Sequence, residues 1–68
     1  MSEVYKRMIS EYEQAAEIVY NRIKSRRAEL KTLPPYSKRT MMLRNEISTL
    51  YAERRDAIEA VNAMRAYA

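Results

Sequence analysis

The chain contains no cysteine, no histidine, no glycine, no tryptophan and no phenylalanine. Each absence excludes something. Without cysteine there is no disulfide and no thiolate metal site to staple a small fold. Without histidine the commonest general base and metal ligand is missing. Without glycine no Gly-rich loop exists to cradle a phosphate. No apolar run approaches the ~20 residues that cross a bilayer. The start of the chain, from Ser2 to Arg7, lacks the apolar core of a secretion signal. The expectation is a cytoplasmic protein with no membrane association, no cofactor and no metal. Catalysis would rest on Glu, Lys, Arg or Tyr alone, so the chain reads as a non-enzyme.

What is present is periodicity. One ladder of residues runs Ser2, Tyr5, Ile9, Tyr12, Ala16, Val19, Ile23, Arg26, Leu30 and Leu33. A second runs Thr40, Leu43, Ile47, Leu50, Arg54, Ala57, Val61, Met64 and Ala68. Both step by three and four in turn, the spacing that lays one stripe of a helix along a partner helix. Pro34 and Pro35 separate them, and prolines cannot continue a helix. The fold class expected is therefore all-α. A single helical hairpin fills 1–68, with helix 1 over about 2–33, a turn at 34–36 and helix 2 over about 37–67. Ser2 and Ser37 suit the N-caps, and Arg26, Arg27 and Lys31 suit the negative end of helix 1.

The ladders fix a register. In an antiparallel pair each a position meets a d position, so paired residue numbers share one sum. Leu30 with Leu43, Ile23 with Leu50, Ala16 with Ala57, and Ile9 with Met64 satisfy it. So do Leu33 with Thr40, Arg26 with Ile47, Val19 with Arg54, and Tyr12 with Val61. Two layers carry arginine. Their aliphatic stems can lie in the seam while the guanidinium stays wet. In this register Arg26 leans toward Glu29 and Glu46, and Arg54 toward Tyr20 and Tyr51, where a cation–π contact is available.

The apolar residues exceed what one seam uses. Val4, Met8, Ala15 and Ile18 flank the seam on helix 1, and Ala60, Ala63 and Tyr67 flank it at the same end on helix 2. Tyr20, Tyr51 and Ile58 lie on the other flank. Helices with so wide an apolar stripe pack against more than one neighbour. The expectation is a self-association face and a homodimer of hairpins forming a four-helix bundle.

Charge is segregated along the rod. The net charge is +4, yet the turn-proximal residues 21–55 hold ten cations against three carboxylates, and the remainder holds three against six. Opposite ends attract, so an antiparallel dimer is favoured. Lys38 and Arg39 stand in the first turn of helix 2, where the dipole disfavours cations. Lys31, Tyr36, Lys38, Arg39 and Arg44 are thus candidate contacts for an acidic partner. The leading functional reading is an interaction module that self-associates and binds a partner protein. The alternative is a small nucleic-acid-binding hairpin using its basic turn end.

Overall fold

The computed structural model describes residues 2–67, and these form two long helices joined by a short turn. Helix α1 spans Glu3–Leu30 and helix α2 spans Lys38–Ala66. They pack against each other along their length, in a rod with extents of 50 × 14 × 11 Å. No strand occurs among the described residues.

Local chemistry sets the helix ends. Ser2 and Ser37 hold extended backbone, and their hydroxyls accept from the N–H groups of Tyr5 and Thr40. Each satisfies a donor that the first helical turn leaves orphaned. Helix α1 stops at Leu30, short of the Leu33 expected from its ladder. A proline ring collides with the carbonyl four residues back, so Pro34 and Pro35 act on Leu30 and Lys31. The chain tightens to three-residue spacing: the N–H of Thr32 donates to the Glu29 carbonyl (2.9 Å) and that of Leu33 to the Leu30 carbonyl (3.3 Å). The Thr32 hydroxyl donates to the same Glu29 carbonyl at 2.7 Å.

The seam follows the ladders. Ile9, Ile23, Leu43, Ile47, Leu50, Ala57, Val61 and Met64 are buried, as is Thr40. Ala16, Val19, Arg26, Leu30, Leu33 and Arg54 are half-buried. Tyr5 and Tyr12 stand at ladder positions but remain exposed. Near the open end each ring has only one facing helix, which covers one side of it. Ala68, the last rung of the second ladder, lies outside the described residues.

Thr40 is the single polar group in the buried set. Its hydroxyl donates to the Pro34 carbonyl at 2.6 Å. That spends its one proton, so the Ser37 hydroxyl 2.8 Å away donates to Thr40. The turn is thereby tied to the first turn of α2 with no buried side-chain donor or acceptor left unpaired among the described residues.

Candidate interaction surfaces

A hairpin has two flanks beside its seam. In heptad terms one is built from the e and b positions of both helices, the other from g and c. Cross-helix contacts place them. On the e side, the Arg65 guanidinium reaches Glu13 at 3.1 Å and that of Arg27 donates to the Tyr51 hydroxyl at 3.0 Å. On the g side, Arg39 forms a two-pronged pair with Glu29 at 2.8 and 3.1 Å. Arg26, at the seam edge, donates to Glu46 at 2.8 Å.

The seam arginines differ in their choice of partner. Arg26 takes Glu46, one of its two expected carboxylates. Glu29, the other, is held by Arg39. Arg54 lies over the Tyr20 ring, 5.0 Å from its centroid, and Lys24 lies the same distance from that ring. Tyr51 instead engages Arg27 through its hydroxyl.

The Arg39–Glu29 pair explains a placement that α2 alone does not. Arg39 is disfavoured at the positive start of α2, and Glu29 is disfavoured at the negative end of α1. The turn brings the two misplaced charges together. The Arg39 hydrogen bond, with the charges of Arg39 and Arg26, holds the Glu29 carboxyl below its ordinary value of 4.5, and Arg39 is correspondingly raised.

The turn-end candidates do not share one surface. Tyr36 is 94% exposed in the turn. Lys38 occupies an outward f position and Arg39 the g flank, while Lys31 and Arg44 fall on the e/b flank. Sequence reasoning placed the charge at the turn as a whole. It passed over a finer segregation: Glu29, Glu46 and Glu53, the three carboxylates of that half, each occupy g. The e/b flank of the same half carries Lys24, Arg27, Lys31, Arg44 and Arg55 and no carboxylate. Assigning a heptad letter to every charge would have found it.

The apolar residues beside the seam stay in water. Val4, Met8, Ile18 and Tyr67 are exposed, as are Ala15 and Ala63. Ala60 is half-buried against the cluster of Ile9, Val61 and Met64. On the e/b flank of the terminal half an open groove of about 260 Å³ runs between the helices, with Glu13, Glu17, Tyr20, Arg54, Ile58 and Arg65 among its walls. Glu13 and Arg54 already have partners there. No group of three metal-ligating side chains occurs among the described residues, and no helix is long and apolar enough to cross a membrane.

No protein-family model matches the chain, and no curated protein or solved structure matches it either.

Proposed function

We propose that the protein is a non-catalytic interaction module, a helical hairpin that self-associates through its g/c flank into a four-helix bundle and so presents its other faces to a partner protein. The observation that carries this reading is the exposed apolar strip beside the seam. Val4 is 64%, Ile18 53% and Tyr67 83% exposed, and all three lie on the g/c flank of the terminal half. Scattered apolar residues are normal on a surface, whereas a contiguous strip marks an interface.

Two further points support it. A compact monomer of 8.1 kDa would expose about 4,500 Å², against 5292 Å² for this rod. The difference, roughly 800 Å², is comparable to what one partner buries in an ordinary stable interface. The charges on the g flank also neutralise one another within the hairpin, through Arg39 with Glu29 and Arg26 with Glu46. Two of the flank's carboxylates are thus offset before a second copy arrives.

The test is mass in solution by light scattering after size exclusion, at low and at high salt. A dimer held by apolar packing keeps its mass at both. The double substitution Ala15→Glu with Ala60→Glu puts two carboxylates per chain into the strip. It should leave a helical monomer. Retention of the native mass by that variant rules out this flank as the interface.

A further inference from the structure

The e/b flank of the turn-proximal half is chemically unlike every other face of the rod. Five cations, Lys24, Arg27, Lys31, Arg44 and Arg55, line it from both helices with no carboxylate of that half among them. Lys31, Lys24 and Arg44 make no ion pair among the described residues. Arg55 has one loose contact, 3.6 Å to the exposed Asp56 beside it. Arg27 is fixed in place by the neutral hydroxyl of Tyr51, which orients the guanidinium without cancelling its charge. Lys24 is likewise supported by the ring of Tyr20. Folding gains nothing from gathering like charges, which repel, so the arrangement points outward to an anion.

We propose that this flank binds the phosphate backbone of a short stretch of single-stranded nucleic acid. At about 1.5 Å per residue the α2 row from Arg44 to Arg55 is about 16 Å long, and the α1 row from Lys24 to Lys31 about 10 Å. That length suits a few successive phosphates. Beyond Tyr20 the same flank carries Glu17 and the Glu13–Arg65 pair, so the run of cations without carboxylates ends there. An acidic protein is the less suitable occupant. Protein interfaces rest on aromatic or aliphatic anchors seated in pockets, and here the Tyr20 ring is covered by Lys24 and Arg54 while the Tyr51 hydroxyl is taken by Arg27. The proposal is independent of the dimer reading, which uses the opposite flank.

The experiment compares two triple variants with equal loss of charge. One is Lys24→Gln, Lys31→Gln and Arg44→Gln, on the flank. The other is Arg7→Gln, Arg22→Gln and Lys38→Gln, on other faces. Each is titrated against a labelled ten-nucleotide single strand by fluorescence anisotropy across a salt series, with helicity and mass measured alongside. The native protein should bind with log K falling by about 2 to 4 per decade of salt, since each neutralised phosphate of a single strand adds about 0.7. The flank variant should lose roughly tenfold or more at low salt, with a salt slope shallower by about 2. The other variant should stay within about threefold. Three outcomes overturn the proposal: no binding by the native protein at low salt, equal losses in both variants, or equal affinity for duplex or for a polyglutamate peptide of the same charge.

Discussion

At the residue scale, the seam shows how one polar group is tolerated where apolar side chains dominate. Thr40 is 1% exposed, and its hydroxyl sits between an acceptor, the Pro34 carbonyl, and a donor, the Ser37 hydroxyl. Substituting Thr40→Val keeps the shape and removes both bonds. The Pro34 carbonyl then keeps only the longer bond from the Ser37 N–H at 3.4 Å, and the loss of a side-chain hydrogen bond costs about 0.5–1.5 kcal/mol. The expected outcome is a lower urea midpoint with an unchanged slope, measured by circular dichroism. An unaltered midpoint would mean that water replaces the hydroxyl at the turn. The buried position of Thr40 was legible from its ladder position. Its partners were not, because the carbonyl of Pro34 reaches it only once α1 has ended early and the turn has curled back. Arg26 and Arg54 divide in the same way. Their stems belong to the seam by spacing, whereas the choice of Glu46 over Glu29 depends on Arg39 having taken Glu29.

At the element scale, the helices are ordinary products of their caps and stripes, and the turn is where they are coupled. Both N-caps follow from serine ahead of an uninterrupted run of helix formers. The end of α1 was less legible, because the ladder runs on to Leu33 while proline sterics act several residues upstream. The Glu29–Arg39 pair spans this turn and links the last turn of α1 to the first of α2. Its pH dependence has a definite sign. The Glu29 carboxyl titrates lower in the folded chain than in the unfolded one. Its contribution is therefore full above the unfolded value and is lost as pH falls through the lower folded value. Between neutral pH and about 5 the native protein and Glu29→Gln should show parallel thermal midpoints, with the variant lower. As the pH falls below 4.5 the gap should close while the native carboxyl takes up its proton. Both side chains are near half-exposed, so the gap is small and shrinks with added salt. A gap that persists undiminished to pH 2 would show that Glu29 acts through packing and not through charge.

At the scale of the whole molecule, two segregations of charge cross at right angles. Along the rod, the turn half is positive and the open half negative. Around it, the e/b flank of the turn half gathers five cations and no carboxylate, while the three carboxylates of that half all stand at g. The lengthwise pattern was readable from residue order alone. The circumferential one was legible too, but only once each charge is given a heptad letter and the two ladders are set in register, because it joins positions of α1 and α2 that are far apart in sequence. Together they constrain assembly. Packing through the g/c flank leaves the basic flank facing outward on both copies. With turns together, the two positive halves would lie side by side and repel; with turns at opposite ends, each positive half meets a negative one. The second arrangement is expected, and the rod's length makes it measurable. Tyr36 is 94% exposed and the chain has no cysteine, so Tyr36→Cys supplies one unique attachment point for a spin label. In a rod 50 Å long, labels on opposite turns should lie several tens of Å apart by pulsed dipolar spectroscopy. A label separation under about 20 Å, barely a helix diameter or two, would place the turns side by side. It would mean that apolar complementarity along the strip outweighs the end-to-end charge pattern. Raising the salt then separates the two causes, since screening beyond about 10 Å at 0.1 M weakens a preference set by charge and leaves one set by packing.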